Sequence, residues 1–352
     1  MRLPTLVTVV AATATLALAA CAAPASPGSP SPSSAPTGSA APSTAAPSGA
    51  TDTFPLEVAS ALGTAVIEAE PTRVATWGWG STEATLALGV YPVAVAEQSW
   101  TVGAGNLLPW VEEAYGDQPL PDVLTDADGG ATFPYEEIIA ADPDLILAPY
   151  SGLTQEQYDT LSAIAPTVAY PGAPWTTTWE ETISITAQAL GRSAAGDAVL
   201  AGIAGTLADM KAAHPEFEGK TVAGVWDGDG FVYVYTAADP RVGILEEVGL
   251  TVAPSVSALD TSGGGFFFEL SYEQLDKLDA DIVISYHGSE AEAAEFLTKP
   301  ALQAIPAVKA GRVAQVTDPV AVSSVSPPTA LTFNWDGGLP ALVEKLSVAA
   351  GK

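Results

Sequence analysis

One short unit occurs twice in this chain, and that limits the folds open to it. FPYEEII at 133–139 leads into ADPDLILAPY at 141–150, and ELSYEQL at 269–275 leads into LDADIVISYHG at 278–288. Each copy reads as a helix-forming turn carrying a Tyr-Glu pair, then an aspartate, then a buried apolar strand ending in tyrosine. A helix that feeds a strand and is repeated in both halves predicts two lobes of similar topology. The surrounding segments agree. PTRVATWGWG (71–80), YPVAVAE (91–97) and PTVAYPG (166–172) read as strands of the first lobe. TVAGVWDG (221–228), FVYVYTAADP (231–240) and RVAQVTDP (312–319) read as strands of the second. STEATLALG (81–89) opens a helix on Ser81, Thr82 and Glu83 and packs through Leu86 and Leu88. Strands and helices alternating at this spacing argue for an α/β fold, a mostly parallel sheet with helices on both faces.

Between the halves, residues 176–214 read as helical. Trp179, Ile183, Ile185 and Leu190 precede Gly191, a breaker. Residues 194–210 then place Val199, Leu200, Ile203, Leu207 and Met210 on one stripe. Twenty helical residues span about 30 Å, and a stiff helix of that length between lobes permits only a small hinge motion. The expected organisation is an N-terminal lobe at 53–178, a connecting helical segment at 179–214 and a C-terminal lobe at 215–352.

Ahead of the folded part, Arg2 is followed by an apolar run over 3–20 that ends at Cys21, the one cysteine of the chain. This reads as a secretory signal. Its end, LAAC, resembles a bacterial lipobox, which implies removal of residues 1–20 and a lipid on Cys21. Residues 22–51 contain only Ala, Pro, Ser, Gly and Thr. They read as part of a disordered tether over 21–52, which lets a folded domain stand off a surface. A single cysteine allows no intramolecular disulfide. With 41 acidic and 12 basic residues the formal net charge is −29. That argues against nucleic acid or anionic lipid headgroups as partners and leans toward a neutral or cationic ligand.

Catalytic patterns are missing from the sequence. There is no G-x-S-x-G elbow, and the GGG at 263–265 lacks the lysine and hydroxyl residue of a phosphate loop. The two histidines are His214, in a surface connector, and His287, after a strand; one well-placed histidine does not make a three-ligand zinc site. The chain is therefore expected not to be an enzyme. The aromatic residues say more. Trp77 and Trp79 end the first strand, Trp100 follows the second, Tyr150 ends the third and Trp175 follows the fourth. Trp226, Tyr235, Phe267, Tyr286 and His287 hold comparable positions in the second half, and Trp335 comes late, in FNWDGG. Ligands of open α/β sheets bind outside the carboxyl ends of the strands, so these residues are candidates to line one cleft between the lobes. Arg241, in the loop expected after Tyr235, is a candidate partner for a ligand oxygen.

Taken together, PTRVATWGWGSTEATLALGVYPVAVAE, ADPDLILAPYSGLTQEQYDTLSAIAPTV, AAHPEFEGK, FFFELSYEQLDKLDADIVIS and LQAIPAVKAGRVAQV resemble the iron-siderophore substrate-binding lipoproteins of bacterial ABC importers. The resemblance runs from about Phe54 to the C-terminal helix. It implies the class III architecture: two Rossmann-like α/β lobes joined by a long rigid helix, with a ligand cleft between them. It also implies a monomer on the extracytoplasmic face of the cell membrane, a partner permease and a cytoplasmic ATPase. Family members dock on the permease through an acidic residue on each lobe. Glu156 matches the first by position, and Glu246 is the choice for the second, with Glu247 close behind. The implied ligand is a ferric siderophore whose iron arrives already chelated, so no intrinsic cofactor and no protein metal ligand are expected. The scarcity of Arg and Lys in the lobes favours a hydroxamate complex over an anionic catecholate. Haem, with Tyr286 or His287 as axial ligand, and cobalamin are the alternative cargoes. A surface-tethered binding module without transport is the alternative role.

Overall fold

The computed structural model describes residues 49–98, 106–126, 128 and 130–351. The signal-like segment, Cys21, most of the tether and Trp100 lie outside the described residues. A hairpin of β1 (Leu56–Ala59) and β2 (Thr64–Ile67) precedes the first lobe. Chain order then runs β3 (Val74–Thr76), α1 (Ser81–Ala87), β4 (Ala94–Ala96), α2 (Pro109–Tyr115) and β5 (Asp122–Leu124). It continues with α3 (Tyr135–Ala141), β6 (Leu145–Leu147), α4 (Gln155–Ser162) and β7 (Thr167–Val168). These strands form a five-stranded sheet, parallel throughout, in the order β5-β4-β3-β6-β7. The first strand sits in the centre, so the order reverses between β3 and β6, and the loops after these two strands open the crevice where such sheets bind ligands. Alternation along the strands builds a core on each face. Val74, Leu145 and Leu147 pack with Leu190 on one side, whereas Ala75 and Ile146 join Ile138 and Leu161 on the other.

The helical stretch divides in two. α5 (Trp179–Ala189) starts on a capping box in which Thr178 accepts from the Glu181 N–H and Glu181 accepts from the Thr178 N–H. It stops at Gly191, whose φ of 68° needs glycine; a Cβ there would come within 2.7 Å of the Phe54 ring. α6 (Ser193–Ala213), 21 residues long, then leads alone to the second sheet. It buries Ala195, Ile203 and Leu207, with Val199, Leu200 and Met210 packed beside them.

The second lobe contains β8 (Thr221–Gly228), β9 (Phe231–Tyr235), α7 (Pro240–Glu247), β10 (Thr251–Val252), α8 (Pro254–Leu259) and β11 (Phe267–Ser271). It closes with β12 (Ile282–Tyr286), α9 (Glu290–Thr298), α10 (Pro306–Lys309), β13 (Val313–Val316), α11 (Pro319–Val325) and α12 (Leu339–Ala350). Its six-stranded sheet has the order β11-β9-β8-β12-β13, with β10 also on β8. This sheet too is mostly parallel, with one reversed strand: β9 is antiparallel to both β8 and β11. The cause is local. Gly228 pairs with Phe231 across Asp229 (φ 51°) and Gly230 (φ 87°), the two positive-φ positions of a tight Asp-Gly hairpin.

The repeated unit also needs a correction. Residues 269–271 end strand β11 rather than start a helix, and the helical turn of the second copy is a 3-10 turn over Tyr272–Lys277. Both turns begin on the echoed tyrosine, Tyr135 or Tyr272. The echoed aspartates have matching tasks. Asp144 Oδ2 accepts from the Thr72 N–H and hydroxyl, and Asp281 Oδ2 accepts from the Thr221 N–H and hydroxyl, at 2.8–2.9 Å. Each carboxylate thus clamps the chain entering the central strand of its lobe, β3 or β8.

A candidate ligand cleft between the two sheets

The first wall is built on one close approach of backbone. Gly78, with φ 81°, lies where a Cβ would stand 2.3 Å from the Tyr150 carbonyl oxygen. Without a side chain there, the Trp79 N–H donates to that carbonyl at 3.1 Å. The loop after β3 is thereby joined to the loop after β6, and Trp79 and Tyr150 stand side by side. Trp175 is fixed to the same loop. Its N–H donates to the Ser151 carbonyl, and its indole lies over Gly152, where a Cβ would come within 2.4 Å of Nε1. Its ring meets Tyr150 edge to face at 5.8 Å. Trp175 has φ 59°, a left-handed conformation costing a non-glycine residue about 1–2 kcal/mol. It remains 37% exposed, so strain is retained to hold a large apolar ring at the opening.

The opposite wall carries Trp226 from the end of β8, Tyr235 from the end of β9, and Phe266, 40% exposed, from the turn before β11. Arg241 lies in the first turn of α7, not in a loop. Asp-Pro at 239–240 is a helix-start signal, and Asp239 is the N-cap, its Oδ1 accepting from the Arg241 N–H at 2.8 Å. The same carboxylate accepts from Arg241 Nε at 2.8 Å and Nη2 at 2.6 Å. Nη1 makes a longer contact of 3.3 Å to Ser326 Oγ, and Cζ sits 3.8 Å above the Tyr235 ring. Burial works against the guanidinium charge, but the Asp239 carboxylate, with Tyr235 and Tyr286, more than offsets it and raises the pKa. Burial also pushes Tyr150 up to about 12, helped by Asp239 and opposed by Arg241. The phenols are therefore neutral, and Arg241, the one cation among the described residues that line the cleft, is neutralised by its own cap.

These walls enclose a cleft of about 430 Å³. It brings together Trp79, Tyr150, Trp175, Trp226, Tyr235 and Arg241 from the sequence candidates. Phe266, Asp239 and the Ser326–Pro327 corner were not singled out in the sequence; the Asp-Pro pair is the signal that could have found Asp239.

Other candidates lie elsewhere. Phe267 enters the strand and packs against Tyr233 at 5.6 Å, leaving Phe266 at the cleft. Tyr286 is 1% exposed and lies beneath Tyr235. His287 is buried, its Nε2 2.9 Å from Ser285 Oγ and 3.2 Å from Gln315 Nε2. Burial lowers its pKa, partly countered by Glu292 and Asp227. It lines a separate cavity of about 220 Å³, beside a Lys299–Asp227 ion pair at 2.7 Å. Neither Tyr286 nor His287 opens onto the main cleft, so neither is placed to be an axial ligand for haem there. Trp335 packs on Trp110 at 5.0 Å, and Trp110 Nε1 in turn donates to the buried Glu83 carboxylate at 3.0 Å. Trp77 is core, against Phe133. Among the described residues, no group of His, Cys, Asp and Glu could hold a metal ion.

The acidic candidates are exposed on separate helices. Glu156 is in the first turn of α4, while Glu246 and Glu247 end α7. The latter two border a groove of about 500 Å³, faced across by Glu180 and Lys211.

Two α/β sheets joined through a long helix, with an aromatic cleft at their strand ends, define a class III binding-protein fold. Residues 74–320 match the family described as Periplasmic binding protein, and the chain belongs to that family. It is 30% identical over 277 residues to the probable siderophore-binding lipoprotein YfiY of Bacillus subtilis (strain 168), covering 75% of this chain and 80% of YfiY. Its fold is similar to that of PiaA from Streptococcus pneumoniae TIGR4, solved in complex with ferrichrome. That match has a TM-score of 0.76 at 33% identity and covers 84% of this chain and 99% of PiaA. A periplasmic solute binding protein from Mycobacterium smegmatis str. MC2 155 matches with a TM-score of 0.70 at 25% identity, again over 84% of this chain and 99% of the other.

Proposed function

We propose that this chain is the extracytoplasmic substrate-binding component of an ABC importer, and that its cargo is a ferric siderophore of the hydroxamate type. The observation that carries the cargo class is the Arg241–Asp239 pair. An aromatic cleft whose one guanidinium is held in a fork by a carboxylate offers no net positive charge to an anionic chelate. A neutral complex meets no such mismatch: its hydrocarbon arms pack against Trp and Tyr rings, and the spare Arg241 donors orient its oxygens. The likeness to YfiY and to ferrichrome-bound PiaA supports the same reading.

The rest of the assignment follows the sequence expectations. Lipid on Cys21 anchors the mature monomer, 21–52 act as the tether, and the lobes at 53–178 and 215–352 close around the ligand through the segment at 179–214. Glu156 and Glu246 dock on permease arginines, where charge complementarity sets orientation. The ligand is bound and released unchanged, with no catalytic step.

Tryptophan-fluorescence titration tests the cargo, with calorimetry as the check. Saturable one-to-one binding of ferrichrome or ferrioxamine, with weak or no binding of a ferric tris-catecholate, is the expected result. Preference for the catecholate would overturn the charge argument, and preference for haem or cobalamin would replace the cargo.

A further inference from the structure

The cavity of about 220 Å³ adjoins the ligand cleft, because Trp226 lines both. Its lining comes from the ends of β8 and β12, the Asp-Gly hairpin, the 3-10 turn at Tyr272 and α9. Two kinds of side chain dominate. Trp226, Tyr272 and Phe296 offer aromatic rings, and Asp227, Asp229, Glu292 and Glu295 offer carboxylates. Rings beside acids suit an organic ammonium: the ring quadrupoles attract the cation, and the acids balance its charge.

The chain already places one ammonium there. Lys299 Nζ donates to Asp227 Oδ2 and to the Tyr272 hydroxyl, each at 2.7 Å, and lies 4.7 Å from the centre of the Tyr272 ring. Lys299 thus matches Asp227, and His287, whose pKa burial lowers, adds no positive charge at neutral pH. The other three carboxylates have no cation. Glu292 Oε2 accepts from the Gly288 N–H at 2.8 Å, and Asp229 Oδ2 from the Tyr233 hydroxyl at 3.3 Å. Glu295 has no side-chain hydrogen bond or ion pair among the described residues. The lining therefore keeps an excess of negative charge. It also keeps a spare acceptor. Tyr286 is 1% exposed, and its hydroxyl borders this cavity without a hydrogen-bond partner among the described residues. An unpaired buried hydroxyl loses its hydration without recompense, and buried polar side chains in native proteins are nearly always paired. A ligand donor would complete it.

We propose that this cavity is a subsite for a primary ammonium group carried on an aliphatic arm of the cargo. The arm crosses Trp226, Asp229 and Glu295 balance its charge, and the Tyr286 hydroxyl accepts one of its hydrogens. This inference rests on the siderophore reading above and narrows it. The uncharged hydroxamate core stays in the aromatic cleft, and the positive charge is confined to the arm. Linear chelates ending in a free amine are thereby preferred to cyclic or acylated ones.

The test uses the full chain, purified in detergent, with ferrioxamine B, which ends in a free amine, and its N-acetyl derivative, which has the same iron core without that charge. If wild type binds no hydroxamate at all, the siderophore reading falls and this inference with it. If it binds ferrichrome but neither ferrioxamine, the siderophore reading stands and the subsite is overturned. The expected result is that wild type binds ferrioxamine B about 3–30-fold more tightly than the acetylated form, the range for a cation held by rings and partly desolvated. Equal affinities would overturn the proposal. The double variant Asp229→Asn, Glu295→Gln is expected to lose that preference while the Tm of the empty protein and the affinity for the acetylated form stay unchanged. Asn suits the positive φ of residue 229 as Asp does, so the hairpin is kept. The same loss of charge on α2, as E112Q with E113Q, is expected to leave the preference intact. A preference that survives D229N/E295Q, or that falls equally in both double variants, would trace it to the overall field of the chain and overturn the subsite.

Discussion

Asp144 and Asp281 show what a repeated residue contributes. Each accepts two hydrogen bonds from a threonine at the entry to its central strand, Thr72 just before β3 and Thr221 at the start of β8. Thr221 N–H donation holds the Asp281 carboxyl below its ordinary 3.8, with burial opposing and Lys220 and Arg312 assisting. Asp281→Ala is expected to cost about 1–2 kcal/mol in urea unfolding, the range for a partly buried charge-assisted bond. The exposed Asp144 clamp should be worth less. A depressed carboxylate stabilises above its unfolded pKa, and that contribution is lost as pH falls through the folded value. The gap between wild type and Asp281→Asn should therefore close in acid, below 3.8. Glu83 behaves in the opposite sense. Burial raises its pKa above 4.5, only partly offset by the Trp110 N–H. Its contribution is complete below 4.5 and is lost as pH rises through the folded value. Glu83→Gln should accordingly raise the Tm at neutral pH, and its advantage should shrink toward pH 4.5; a pH series of thermal melts on the two variants reads both slopes.

Elements were legible where their signals are local. The capping box of α5 is one such signal, and Thr178→Ala should cost about 1 kcal/mol. The Gly-Trp-Gly turn after β3 is another. Gly78→Ala would force a Cβ against the Tyr150 carbonyl at positive φ, an expected cost of roughly 1–3 kcal/mol with weaker ligand binding, checked by melting and titration together. The strands β3, β6, β8 and β12 were readable from apolar runs bounded by polar or turn residues. β7 also fell inside a segment read as a strand, 166–172, whereas β5 and β10 were not read, since so few residues beside polar neighbours carry no periodicity. β11 was hidden for a different reason: FFELS also suits a helix start, and what decides is its pairing with the distant β9. The cleft follows the same division. Placement at strand ends identified Trp79, Tyr150, Trp226 and Tyr235. It did not separate Phe266 from Phe267, or expose Tyr286 as buried, because which neighbour faces the ligand is set by strand register and by the helices above it. Trp335 was misplaced because its partner, Trp110, comes from the other lobe.

At the scale of the molecule, the two sheets are joined through α6, 21 residues without an internal break. Closure on a ligand should be small, and solution scattering of empty and loaded protein should nearly superimpose; a marked contraction would mean a hinge within 179–214. Charge reversal at both Glu156 and Glu246 should abolish uptake in cells while leaving titrated affinity unchanged. The self-neutralised pair in the cleft has a kinetic consequence as well. The chain carries a formal net charge of −29, but at the opening its one guanidinium is matched by a carboxylate. An anionic chelate is thus repelled on approach and finds no attraction on arrival, whereas an uncharged one crosses the same field without a barrier. Selection then begins during diffusion: the association rate of a charged competitor should climb with added salt, while that of the neutral cargo should hardly change.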